Sequence, residues 1–260
     1  MLGTVLAVEW LMDILSTQGL LILGCLVFFS YTAQAMTGFG SIVIAVTIGS
    51  LFFPIRSMLP VLVALNMPLC LWILYKQHQE IDYRFLLRQI LPLMSIGVVI
   101  GLLVDRLIEG PLLRQIFGGI ILAFSIRELL ILFSKKEDSV AKRGWMLISQ
   151  FWILIAGLVH GIYASGGPPL VYALSKTSMS RQTFRATLTA VWLVLNGVLL
   201  GVYIGDGRFA YNESIQFLFL LPTIPVALWS GEKLHKRVSE RSFRITLQGL
   251  LALSAAALLV

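Results

Sequence analysis

This 260-residue chain is short of charge: Asp, Glu, Lys and Arg make up only 13% of it, against about 25% in soluble proteins. So few charges cannot clothe a solvated surface, and 58% apolar residues with a mean hydropathy of +0.89 exceed what a soluble core of this size absorbs. Cysteine is scarce as well. Cys25 and Cys70 lie inside apolar runs, where a thiol packs as a small hydrophobe, so no disulfide framework or thiolate metal site is expected. The histidines, His78, His160 and His235, are dispersed. No nucleophile triad is evident, and Gly38-x-Gly40 lacks the strand, third glycine and acidic follow-up of a dinucleotide site. An enzyme, a cofactor and a metal are therefore not expected. The first sixteen residues hold Glu9 and Asp13 but no Lys or Arg, so they lack the basic region of a signal peptide and are expected to stay on the mature protein.

What the chain has in abundance is apolar length. Runs near the roughly 20 residues needed to cross a bilayer fall at 18–36, 57–75, 89–104, 111–133, 145–164, 186–204, 214–230 and 243–260. The expected architecture is all-α: a polytopic membrane protein of about eight transmembrane helices plus two broken or re-entrant segments. Residues 1–260 then form a single membrane domain. A polar stretch, 134–144, carries Lys135, Lys136, Glu137, Asp138, Lys142 and Arg143, and reads as a linker between two halves.

Those halves echo each other. At a spacing of 130, Asn66 matches Asn196, Pro92 matches Pro222, Gly101 matches Gly231, Arg114 matches Arg244 and Gly119 matches Gly249. Two residues short of that register, Thr37-Gly38-Phe39-Gly40-Ser41 meets Ser165-Gly166-Gly167-Pro168-Pro169. A duplicated apolar chain with a glycine break near the start of each half is the pattern of a transporter with internal repeats and broken helices. The repeats run from about 18 to 133 and from about 145 to 260.

Charge orients the spans. The formal charge of +7 forms no continuous stripe, so nucleic acid is not a partner. Fifteen of the 20 Lys and Arg residues fall in four connections: Lys76 to Arg88, the linker, Lys176 to Arg185, and Lys233 to Arg244. Placing these inside obeys the positive-inside rule and leaves Arg56, Arg106, Arg114 and Arg208 outside. Both ends of the segment 145–175 then face inward, so the break at 165–169 must be a re-entrant turn. The break at 37–41 enters from outside by the same logic, and the two halves are inverted.

Non-helical backbone persists at membrane depth only where protein or a water-filled cavity satisfies it. Proline suits the first turn of a helix, so a half-helix is expected to start at Pro168, with Gly40 and Ser41 opening its counterpart, which runs to Phe53. Such N-termini attract anions. The expected substrate-binding residues are Gly38, Phe39, Gly40, Ser41, Asn66, His160, Ser165, Gly166, Gly167, Pro168 and Asn196. The asparagines serve structure or substrate contact equally well, and His160 is a donor, a proton carrier or an interhelical hydrogen bond. Gln34, Thr37, Tyr163 and Thr189 are further neutral donors. Arg127 is expected to snorkel, and Gly97-xxx-Gly101 and Gly197-xxx-Gly201 to serve helix packing.

Gly157-Leu-Val-His-Gly161 running into Ser165-Gly-Gly-Pro-Pro-Leu-Val-Tyr172, with the glycine break and apolar helix at 36–48, resembles the TauE/SafE sulfite exporter family, also called the four-toluene-sulfonate uptake family. The resemblance covers about 18 to 260. It implies a multi-pass protein of a bacterial inner membrane that exports small sulfur-containing or organic anions such as sulfite, sulfoacetate or other sulfonates. Alternating access follows from the inverted repeats, and a homo-oligomer is compatible with this reading. An anion channel, a membrane-embedded enzyme or an assembly factor are the alternatives.

Overall fold

The computed structural model describes residues 17–107, 110–133, 145–174, 177, 179–235 and 240–259. These form helices and no strand. In chain order they are α1 (Thr17–Thr37), α2 (Ser41–Gly49), α3 (Ile55–Gln77), α4 (Tyr83–Asp105), α5 (Gly110–Phe133), α6 (Trp145–Tyr163), α7 (Gly167–Leu174), α8 (Arg181–Gly205), α9 (Tyr211–Leu220), α10 (Thr223–His235) and α11 (Glu240–Ala257). Within the described residues the apolar runs fall mainly on these helices, and the run 214–230 crosses the bend between α9 and α10. Among the described residues five helices, α1, α3, α4, α5 and α8, are long and apolar enough to cross a bilayer, or six if the bent pair α9–α10 is one span. Helices α6 and α11 are shorter and apolar. The linker 134–144 lies outside the described residues.

Apolar side chains point outward as well as inward. Leu71, Leu87, Val99, Leu130, Phe151, Val198 and Leu218 are exposed, while Gln34, Ser41, Asn66, His160, Ser165 and Asn196 are buried. This distribution suits a lipid surround around a core that must satisfy its own polar groups.

Each glycine break turns the chain back on itself. Ser41 bonds Gln34, and Gly49 lies beside Leu26, so α2 retraces α1 residue for residue. In the second half Gly166 abuts Ala156 and His160, and Ser149 Oγ donates to Ala173 O at 3.0 Å, so α7 retraces α6. The turns need unusual backbone: Gly38 has φ 85, Gly40 has φ 101 and Ala164 has φ 50. The first two suit glycine, and Ala164 carries the strain of a left-handed conformation. Helix α2 stops at Gly49, short of the expected Phe53, because Ser50 to Pro54 turn the chain into α3. Helix α7 begins at Gly167, with both prolines in its first turn.

The repeat-related prolines disturb equivalent helices in different ways. A proline removes an N–H and its ring clashes with the carbonyl one turn back. Before Pro92 the chain widens into a π-helical turn, Leu86–Ile90. At Pro222 it breaks, and α9 meets α10 at 42°.

Packing pairs the halves. Helix α4 lies on α6, α10 on α1, α3 on α8 and α5 on α11. At the first contact Gly97 and Gly101 face Gly157 and Gly161: a Cβ at Gly97 would lie 2.8 Å from Gly157 Cα, and one at Gly101 3.0 Å from Gly161 Cα. Gly231, the counterpart of Gly101, presses on α1, where a Cβ would lie 2.8 Å from Thr32 O. The packing expectation is corrected for Gly201, where a Cβ would meet nothing within 4 Å; at Gly197 it would meet Met67 Cε of α3 at 3.6 Å, a side-chain contact rather than backbone on backbone.

Candidate functional site

Helices α3 and α8 cross antiparallel with their asparagines in contact. Asn196 Nδ2 donates to Asn66 Oδ1 at 2.9 Å, while Asp82 N bonds Thr187 Oγ1 at one end and Arg208 reaches the carboxylate that Arg56 holds at the other. Asn66 is the hub. Its Nδ2 donates to Gln34 Oε1 at 3.0 Å and to Ser41 Oγ at 2.9 Å, and its Oδ1 also accepts from Cys70 Sγ at 3.0 Å. Ser41 Oγ donates to Gln34 Oε1 in a short bond, and the Ser41 N–H points to the same oxygen at 3.3 Å. The first half-helix therefore already spends one N-terminal donor on Gln34.

Both breaks face one small cavity of about 20 Å³, lined by Gly40, Ser41, Asn66, Ser165, Gly167, Trp192 and Asn196 among others. That is room for about one water molecule, so the two hairpin tips are closed upon each other. Two larger cavities adjoin. One of about 240 Å³ reaches from Phe39, Gly40 and Val43 to Pro168, Arg127 and Tyr172. The other, about 620 Å³, is lined by Thr37, Phe39, Gln77, Arg181 and Arg185. Phe39 borders both large cavities, and Gly40 and Val43 border the small one.

The remaining expected residues divide by position. Gly167 lines the small cavity, with Phe39 Cδ2 3.5 Å from where its Cβ would be. Gly166 instead packs on α6, where a Cβ would lie 2.9 Å from His160 Cβ. Ser165 Oγ donates to Tyr163 O at 2.8 Å. Pro168 lines the 240 Å³ cavity, and neither it nor Pro169 has an N–H to offer an anion. Gly38 is pressed under Arg185. The ring nitrogens of His160 make no hydrogen bond among the described residues; the ring stacks on Trp192 at 5.4 Å, behind the cavity wall. Trp192 Nε1 and Asn196 Oδ1 are also buried without partners among the described residues. Arg127, expected to snorkel, lays its guanidinium 3.9 Å from the Tyr172 ring centre at the cavity wall.

Sequence reasoning missed Trp192 and Arg185. A signal existed, because Arg185, Thr189, Trp192 and Asn196 fall at i, i+4, i+7 and i+11, one face of a helix.

The loops sort to two ends. Lys76 pairs with Glu232 at 3.1 Å, near Gln77, Arg181 and Arg185. At the opposite end buried Asp105 accepts from Arg208 at 3.0 Å and from Arg56 at 3.4 Å, and Asp206 pairs with Arg106 and Arg208.

A helical bundle with an apolar exterior, a buried polar centre and two facing hairpin tips defines a polytopic membrane protein of the transporter class. The pattern of the family described as sulfite exporter TauE/SafE matches residues 22–258, and the chain belongs to that family of membrane exporters. It is 25% identical over 251 residues to a probable sulfite/organosulfonate exporter TauE of Cupriavidus necator, covering 94% of this chain and 92% of that protein. No solved structure matches the chain.

Proposed function

We propose that the protein exports a small sulfur-containing or organic anion, sulfite or a sulfonate, across a bacterial inner membrane by alternating access in a bundle built of two inverted repeats. One observation carries this reading: the tips of two chain-reversing hairpins meet at a closed polar cavity, where Asn66 and its counterpart Asn196 touch. Equivalent helices that cross antiparallel at equivalent residues support a two-fold axis perpendicular to them, as inverted repeats require. Helices α5 and α11 do the same, since Gly118 lies by Leu258 while Ile131 and Leu247 share a cavity.

The two ends differ in a way that suits one phase of a transport cycle. Arg56, Asp105, Arg106, Asp206 and Arg208 tie residues of both halves together at the end that charge assigns to the outside. The 620 Å³ cavity lies at the other end, so substrate enters from the cytoplasm and is released outward after that ion-pair cluster parts. In this scheme Gly38, Phe39, Gly40 and Ser41 on one tip, and Ser165, Gly167 and Pro168 on the other, shape the passage, and Gly166 seats the second tip on α6. Asn66 and Asn196 contribute amides, and His160 acts through Trp192.

Reconstituted protein in liposomes loaded with sulfite, sulfoacetate, benzoate or chloride tests this. Saturable flux of sulfite or sulfoacetate is expected. Flux that rises linearly with concentration would indicate a channel, and no anion flux would refute the reading.

A further inference from the structure

The 620 Å³ cavity is more than a passage. Its wall carries two guanidinium groups, Arg181 and Arg185, with the hydroxyls and amides of Thr37, Gln77, Ser180 and Gln182, and no acidic residue lines it among the described residues. Arg185 is the informative one. Its guanidinium forms no hydrogen bond or ion pair among the described residues, and its Nε is fully buried without a partner. Glu232 of α10 is ion-paired with Lys76 at 3.1 Å and acts on this arginine only through the attraction of its charge, without an ion pair.

The stem of Arg185 is wedged against the first break: a Cβ at Gly38 would lie 2.7 Å from Arg185 Cγ and 3.1 Å from its Cα. Gly38 also has φ +85, so glycine is required there twice over. The charge is thus held beside the tip of the α1–α2 hairpin, next to Phe39, instead of extending into solvent. A guanidinium presents several N–H donors in a planar fork matched to oxyanions. Keeping one half-buried and unpaired costs stability, a cost that bound oxyanion would offset.

We infer that this cavity is an antechamber site for an oxyanion headgroup, in which Arg185 is the specificity-determining cation that holds a sulfite or sulfonate group before it passes Phe39. The inference rests on the anion-export reading and assigns it a cytoplasmic binding step. Anions with a spread, three-oxygen face are preferred there over chloride, and Phe39 separates this site from the closed cavity at Asn66 and Asn196.

Three variants of the full-length protein test it: Arg185→Gln, Arg185→Met, which keeps an apolar stem on Gly38, and Arg185→Lys. Sulfite and sulfoacetate binding is measured by thermal shift in detergent, and flux in liposomes. Arg185→Gln and Arg185→Met are expected to weaken apparent affinity about tenfold to a hundredfold, the scale of hydrogen bonds to a charged group, with unliganded melting temperature unchanged or raised. Arg185→Lys should recover part of the affinity but lose the preference for sulfite over chloride. Wild-type binding with unchanged affinity in both neutral variants would overturn this inference alone. Absence of anion binding by the wild type would overturn it together with the export reading.

Discussion

Gly166 and Gly167 are adjacent, yet the structure gives them different work, and a single added methyl separates the two. At Gly166 the new carbon would lie 2.9 Å from His160 Cβ and 3.1 Å from Ala156 C, with Ala156 O nearer still. These neighbours are α6 backbone and the base of a stacked ring, and neither can swing aside. Overpacking of this kind costs about 1–3 kcal/mol, which for a chain of this size lowers the melting temperature by about 2–4 °C per kcal/mol. At Gly167 the nearest atoms are Phe39 Cδ2 at 3.5 Å and Val43 Cγ2 at 3.9 Å, ordinary contact distances. Gly167→Ala should therefore leave stability within about 0.5 kcal/mol of wild type. It does, however, intrude on a cavity of only about 20 Å³ between the hairpin tips. The expected outcome is a crossed pair: Gly166→Ala melts several degrees lower with transport reduced in proportion to folded protein, whereas Gly167→Ala melts normally and transports poorly. Differential scanning fluorimetry in detergent and sulfite flux per folded molecule in liposomes measure the two axes. A Gly167→Ala protein that is destabilised as much as Gly166→Ala, or that transports at the wild-type rate, would refute the assignment of this tip to the passage.

Asn66→Ala strips Gln34, Ser41, Cys70 and Asn196 of a partner at once, so about 1–3 kcal/mol of stability should be lost; Asn196→Ala removes one of these bonds and should cost about 0.5–1.5 kcal/mol, and equal melting temperatures would contradict the hub role of Asn66. Asp105→Asn removes a carboxylate shared by Arg56 and Arg208, and should cost about 1.5–3 kcal/mol while raising the reactivity of an outward-facing cysteine probe at Ser57; unchanged labelling would argue against a closed outer end. In a background lacking Cys25 and Cys70, cysteines at Ser139 and at Asn212 should react with impermeant reagent from opposite sides, and labelling of both from one side would remove the topology from which the inverted repeats were argued.

The helical class and the two breaks were legible because they rest on apolar length and on residues that apolar drift does not produce: the paired glycines and the two prolines at 168 and 169. Charge placed the loops well enough that Lys76, Arg181 and Arg185 do lie at one end, and Arg56, Arg106 and Arg208 at the other. What sequence could not supply was the partner of each residue. Gly157 and Gly161 read as part of a family motif, yet they are the backs against which Gly97 and Gly101 pack. Arg185 read as one more positive charge in a loop because spacing does not reveal that Gly38 fixes it in place. Trp192 shares a helix face with Asn196, but spacing alone does not show that it lines the cavity with His160 stacked behind it.

The packing of the halves bears on what can move. If each repeat rocked as a unit against the other, α4 would have to slide on α6, and α10 on α1. These are the contacts where backbone meets backbone: a Cβ at Gly157 would lie 2.8 Å from Met94 Cα, and one at Gly231 2.8 Å from Thr32 O. Interfaces of small residues hold by close van der Waals fit, and such fit is lost within a fraction of an ångström of sliding. On the proposed alternating-access reading, the bodies that stay intact are therefore composite. One joins α6 and α7 to α4 of the first half, and the other joins α1 and α2 to α10 of the second. Each contains one hairpin tip, so motion between the two bodies separates the tips directly. The Asn66–Asn196 contact between α3 and α8, and the pairs of Asp105 with Arg56 and Arg208, are of another kind: hydrogen bonds and ion pairs can be exchanged for water, which the glycine interfaces cannot do. On the proposed transport reading, the firm contacts are thus the glycine interfaces that join helices of the two halves, and the polar contacts are the ones free to part.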